Sequence, residues 1–181
     1  PRDLKRAEKL FEPALGVDPR FVAALVELAH VHYVYGRVRL SDDPSASFRK
    51  AEALVRRGLE IDADYPEAFT SLGRIERSWR RDFEKALTYH RKAVALSPNC
   101  AECLRELANE LQYIGDGASA IPIFKLAMRL EPNYSILYLL GLGLSYRLAG
   151  EYPKAVQVFK EMIKRWPNSY WGYLHSAIDT A

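Results

Sequence analysis

The chain has 181 residues, of which 49% are hydrophobic and 27% charged, with a net charge of +3 and two cysteines. This is enough apolar material for a continuous core, yet no run approaches the ~18 apolar residues that span a bilayer; the longest, 136–144, is about half that length. The mild charge lacks the clustered basic excess of a nucleic-acid-binding domain.

Alanine recurs at Ala7, Ala51, Ala86, Ala120 and Ala155, and twelve residues after each stands Pro19, Ala63, Pro98, Pro132 or Pro167. The alanines lie 44, 35, 34 and 35 residues apart, a period that marks stacked repeats. The first predicted helix, 4–16, carries Leu10, Phe11 and Ala14, three, four and seven places after its alanine. That spacing makes one helical face, and Pro13 is expected to bend it. A second kind of helix follows, Leu25-Leu28-Ala29, ending at Gly36. An insert near 37–48 comes next, with a loop at 41–45 and a helix start near Pro44 or Ser45.

The two stripes then alternate. Leu54, Val55 and Gly58 precede Phe69-Leu72-Gly73, which stops at Arg80-Arg81-Asp82. Tyr89, His90 and Ala93 put a histidine in the aromatic place, which predicts a core side chain. Leu104-Leu107-Ala108 ends at Gly115-Asp116-Gly117, before Ile123, Phe124 and Ala127, with Pro122 early in that helix. Leu137-Leu140-Gly141 ends at Gly150-Glu151, and Pro153 fits a first helical position before Val158, Phe159 and Met162. The last stripe is Tyr173-Ser176-Ala177. The second and fourth full units each hold one extra residue, expected at their internal turns.

Residues 101–134 carry the fullest pattern: Leu104, Leu107, Ala108, Leu111, Gly115, Ala120, Phe124, Ala127 and Pro132. On these residues, and across nearly the whole chain, the sequence resembles a tetratricopeptide repeat (TPR) array. The resemblance implies an all-α fold, a right-handed α-α superhelix (solenoid) of about ten antiparallel helices. Its parts would be a half repeat over 1–19 (second helix only), a repeat over 20–65 with the inserted loop near 37–48, repeats over 66–99, 100–133 and 134–168, and a half repeat over 169–181 (first helix only). Two half repeats at the ends predict a piece of a longer array. The implied function is a protein-protein interaction scaffold, not an enzyme, with no cofactor. The phrases 59–62, 65–68 and 125–132 are similar to the C-terminal repeats of bacterial multidomain regulators, namely class III nucleotide cyclases and winged-helix activators. That implies a sensory or docking role in a cytoplasmic signalling protein.

Other chemistry is poorly supported. Cys100 and Cys103 form a CxxC at a helix start, where a thiol's pKa falls, but no second ligand pair completes a zinc site. They read as incidental free thiols, pointing to a reducing compartment. His30, His32, His90 and His175 form no HExxH. Gly141-Leu142-Gly143 lacks the spacing of a phosphate loop, its glycines serving helix packing, and Asp42, Asp43, Glu106 and Glu110 are expected on loops or solvated helix faces. Arg74, Arg77, Arg80 and Arg81 cluster near Trp79, either as a solvated helix end or as an anion contact.

In the resembled family the first helices line a concave groove. Opposite the packing stripe they would present His30, Tyr33, Arg74, Arg77, Arg105, Asn109, Tyr113, Tyr138, Tyr146 and His175. Arg and Tyr dominate binding hot spots, so the expected partner is a peptide or helix with an acidic segment. The fixed Lys and Asn positions of carboxylate-clamping repeats are not evident, since Val26 and His30 occupy that stretch. Two alternatives stand: self-association through exposed terminal helices, bearing Leu10, Phe11, Tyr173 and Leu174, and an RNA-binding helical repeat, which the Ala-to-Pro beat and low charge disfavour.

Overall fold

Each apolar stripe folds as one helix, and the punctuation between stripes folds as turns. The computed structural model describes residues 2–180 and is all-α over them, with no strand. Residues Pro1–Leu96 form one unit. It contains α1 (Arg2–Val17), α2 (Val22–Arg37), α3 (Pro44–Ile61), α4 (Pro66–Ile75), a π-helical turn (Glu76–Arg80) and α5 (Phe83–Leu96). Residues Ser97–Ala181 form a second, with α6 (Ala101–Tyr113), α7 (Gly117–Leu130), α8 (Ile136–Leu148), α9 (Tyr152–Arg165) and α10 (Tyr170–Thr180). In each unit a helix packs on its chain neighbours, and first helices pack on one another: α2 on α4, α6 on α8, α8 on α10. Among the described residues no helix is long and apolar enough to cross a membrane.

The stripes supply the cores. Val26, Ala29, Tyr33, Phe48, Ala51, Val55, Ala68, Leu72 and Ile75 form one cluster in the first unit. In the second unit Ala120, Phe124, Ala127, Ala155, Phe159 and Met162 have no exposed surface. The small residues closing the first-helix stripes let aromatic rings approach the backbone. A Cβ on Gly73 would overlap the His90 ring, one on Gly141 the Phe124 ring, and one on Gly143 the Phe159 ring. His90 therefore is a core side chain.

Helix ends follow local chemistry. Asp43 Oδ1 accepts the Ala46 N–H at 2.9 Å, Asp82 Oδ1 that of Lys85 at 3.0 Å, and Asp116 Oδ1 that of Ser119 at 3.0 Å, each satisfying an otherwise orphaned donor. Gly115 and Gly150 adopt left-handed backbone just past their helices, with φ of 91° and 77°. α1 runs through Pro13, which leaves one helical carbonyl without its backbone donor.

Four expectations are corrected. Gly36 does not end its helix: it lies inside α2, with the Phe48 ring and the Pro44 carbonyl 3.0 Å from where its Cβ would be, and Arg39 takes the left-handed position (φ 53°). The insert is mostly not loop. α2 and α3 have 16 and 18 residues where α6 and α7 have 13 and 14, so most of the added length extends two helices, and 38–43 join them. The extra residue of the fourth unit is not at its internal turn, because α6 to α7 and α8 to α9 start the same 16 residues apart. It lengthens the turn before α8 to five residues, 131–135, where other inter-repeat turns such as 97–100 have four. The extra residue of the second unit does sit at its internal turn, absorbed by the π-helical widening. Finally, Cys100 and Cys103 are not free thiols but a disulfide. The turn entering α6 brings their Cα atoms to 5.2 Å, inside the range a bridge spans.

Burial also sets a pH dependence. His32 is buried, with Nε2 3.6 Å from Glu8 Oε1. Desolvation and the nearby Lys50 hold its pKa below the ordinary 6.5, against the opposing pull of Glu8 and Glu12. The unfolded chain therefore takes up a proton at a higher pH than the folded one. Above about pH 6.5 the imidazole is neutral in both states and carries no penalty; below it protonation favours the unfolded chain, and stability falls as the pH drops toward the lowered folded pKa. His32→Leu is expected to flatten the fall in urea midpoint between about pH 7.5 and about pH 5.5; an unchanged slope would remove this assignment.

Candidate functional site

Register within a first helix decides which side chains reach solvent. One place after the leading apolar residue stand Val26, Thr70, Arg105 and Tyr138, and all four are buried. Here Arg105 lies over the Tyr138 ring of the adjoining first helix, 5.7 Å from its centroid. Arg105 also donates to Glu102 at 2.6 and 2.8 Å and to the buried Glu106 at 2.6 Å. Burial works against the Arg105 charge, but the hydrogen bonds to Glu102 and the two carboxylates outweigh it and raise its pKa. The Tyr138 hydroxyl donates to Glu131 at 3.0 Å, and burial together with that bond raises the phenol's pKa. Both side chains thus tie α6 to α8.

The place after the small residue holds His30, Arg74 and Asn109, all half-buried. Arg74 Nη1 lies 3.3 Å from His30 Nδ1. A guanidinium can only donate, so Nδ1 accepts. His30 stacks on Tyr33 with centroids 5.9 Å apart. Tyr33 is itself buried; its hydroxyl and Ser78 Oγ share a 3.0 Å hydrogen bond, and its ring meets Phe48 edge-on at 6.1 Å. Arg77 lies three residues after Arg74, in the π-helical turn that follows α4, and is half-buried. His30 and Arg74 therefore meet across α2 and α4 over a buried tyrosine.

In the second unit α6 offers Asn109 and Tyr113, the latter 63% exposed. Tyr146 is buried, with the Lys125 and Lys154 ammonium groups 5.4 and 5.6 Å from its ring centroid. His175 stacks on Phe159 of α9 at 5.2 Å and on Trp171 at 5.9 Å, and Arg147 Nη1 lies 3.0 Å from its Nδ1. It sits two places before Ala177, the phase at which Ser71 and Glu106 are buried. Of the ten expected groove residues, Tyr33, Arg105, Tyr138 and Tyr146 are buried, and His175 faces α9. His30, Arg74, Arg77, Asn109 and Tyr113 remain as surface.

Sequence reasoning missed several linking residues. Gln112 donates to the Gly141 carbonyl and to Ser145 Oγ, the latter at 2.6 Å. Arg147 holds His175. Trp79, carried by the π-helical turn, stacks on Phe48 at 5.7 Å and 9°, and Arg80 lies 4.4 Å over the indole. Arg80 also donates to Glu52 at 2.6 Å and to Glu76 at 3.3 Å. Burial would raise the Glu52 pKa, but the Arg80 and Arg56 hydrogen bonds and charges lower it. Arg80 is thereby a packing residue, and only the tryptophan beside an arginine hinted at it. Among the described residues no cluster of three or more His, Cys, Asp or Glu could hold a metal.

Residues 138–169 match the tetratricopeptide repeat family model. These residues form a TPR repeat. It is 30% identical over 128 residues to the heat shock protein STI1 of Saccharomyces cerevisiae, over 68% of this chain and 20% of that protein. The chain thus spans about a fifth of the length of the curated relative it matches. It is similar in fold to TTC0263, a thermophilic TPR protein of Thermus thermophilus, at TM-score 0.75 and 18% identity, covering 98% of this chain and 90% of the other. It is likewise similar to YrrB, a TPR protein with an unusual peptide-binding site, at TM-score 0.65 and 20% identity, covering 98% and 84%. TPR domains bind proteins or peptides, and the TPR fold is generally a non-catalytic scaffold. In TPR terms α2, α4, α6, α8 and α10 are first helices of their repeats, and α1, α3, α5, α7 and α9 second helices.

Proposed function

We propose that this TPR chain binds a peptide or partner helix carrying an acidic segment on its first-helix faces, and that it serves as the sensory or docking part of a larger bacterial regulatory protein. The observation that carries the binding reading is the meeting of Arg74 and His30 between α4 and α2, with a second arginine, Arg77, three residues on in the π-helical turn. Two guanidiniums beside a histidine favour carboxylates, which they can engage in bidentate pairs. The regulatory setting is supported by the wording of 59–62, 65–68 and 125–132.

The test is Arg74→Glu with Arg77→Glu. Binding of fluorescent peptides rich in Glu and Asp, followed by anisotropy, is expected to weaken at least tenfold, as for loss of about 1.4 kcal/mol or more, with helical circular dichroism unchanged. Affinity that survives the reversal in a folded protein would sink the proposal.

Self-association is a second reading. It is favoured by the exposed Leu10 on α1 and by Tyr170, Trp171, Tyr173 and Ile178 on α10. Light scattering that reports a monomer at high concentration would remove it.

A further inference from the structure

We infer that the Cys100–Cys103 bridge at the start of α6 is a thiol–disulfide exchange site that reacts through Cys100 with low-molecular-weight thiols. The two sulfurs differ in access. Cys103 has no exposed surface, whereas Cys100 is half-exposed at the N-cap of α6. Cys103 is therefore closed to solvent, and Cys100 is the member of the pair with exposed surface.

The same sulfur already does a helix-capping job. Cys100 Sγ accepts the Cys103 backbone N–H at 3.1 Å, in the place where a serine or aspartate oxygen would sit. Once the bridge opens, that donor and the positive end of the helix dipole remain aimed at Cys100 Sγ and favour its thiolate. Cys103 follows one helical turn later and stays close enough to close the ring again. An exposed first sulfur on a helix N-terminus and a buried second one are the parts that exchange needs.

The step balances. An external thiolate attacks Cys100 Sγ, forming a mixed disulfide and breaking the bond to Cys103. The electron pair leaves on Cys103 Sγ, which takes a proton. A second thiolate attacks the external sulfur of the mixed disulfide, releasing the oxidised small-molecule disulfide and leaving Cys100 as thiolate. Two external thiols are oxidised, and the protein bridge is reduced by two electrons.

The experiment uses the intact oxidised chain and glutathione. After equilibration at graded ratios of reduced to oxidised glutathione, thiols are trapped by alkylation and mapped by mass spectrometry. Reduction of the bridge is expected while helical circular dichroism persists, with Cys100 alkylated before Cys103. In the reduced chain Cys100 should react roughly threefold faster than glutathione itself at neutral pH, the gain in thiolate fraction being partly offset by lower nucleophilicity. Cys103→Ser should trap glutathione on Cys100, and Cys100→Ser should trap none on Cys103. A bridge that opens only on unfolding, equal labelling of both cysteines, or Cys100 no faster than glutathione would overturn the inference. The labelling order in the unmutated chain decides the matter even if a serine variant fails to fold.

Discussion

Arg105→Ala is expected to destabilise the 97–181 unit by about 3–5 kcal/mol, because it takes the 2.6 Å guanidinium hydrogen bond from the buried Glu106 carboxylate, to which Asn109 donates at 3.5 Å. Arg105 is buried, donates at 2.6 Å to Glu106, and covers the Tyr138 ring. Thermal or urea unfolding measures the loss. The paired replacement Arg105→Met with Glu106→Leu should recover most of it, since both charges then leave the interior together. A loss below about 1 kcal/mol for Arg105→Ala would show that solvent or other groups already compensate Glu106. Charge reversal at Arg105 is accordingly a folding experiment, and binding tests belong at Arg74 and Arg77.

Phe124→Ala should cost about 3–5 kcal/mol as well, by leaving a cavity where a fully buried ring met the α8 backbone. Gly141→Ala forces a methyl into that same ring and should cost about 1–3 kcal/mol. The informative measurement is their combination. With the ring gone, the added methyl has room, so the double variant should be more stable than the sum of the single losses by about 1 kcal/mol or more. Strict additivity in denaturant titrations would contradict direct contact between the two.

The helices and their order were legible because burial writes a periodic stripe into the sequence. Ala51, Ala86, Ala120 and Ala155, picked out by spacing, are all fully buried. Gly73 and Gly141 were legible as packing residues for the same reason. The candidate site was only partly legible. Spacing separates the stripe from its opposite face, but it does not say how near the neighbouring first helix lies. Arg105 and Tyr138 looked like surface residues and instead bridge α6 and α8. His175 was assigned to the groove although its place before Ala177 gives it the phase of Ser71 and Glu106. Gly36 was read as punctuation because glycine often ends helices, whereas the nearness of Phe48 requires it inside one. The disulfide was missed because CxxC alone does not fix backbone geometry; the turn entering α6 does.

The π-helical turn at Glu76–Arg80 carries a broader lesson about length. One surplus residue there, another in the turn at 131–135, and a longer stretch in the α2–α3 pair each leave the buried alanines in place. The repeat does not count residues; it keeps side chains in phase and takes up added length in a widened turn, a longer connection or longer helices. Trp79, carried on the widened turn and laid against Phe48, shows an insertion taken up as new packing.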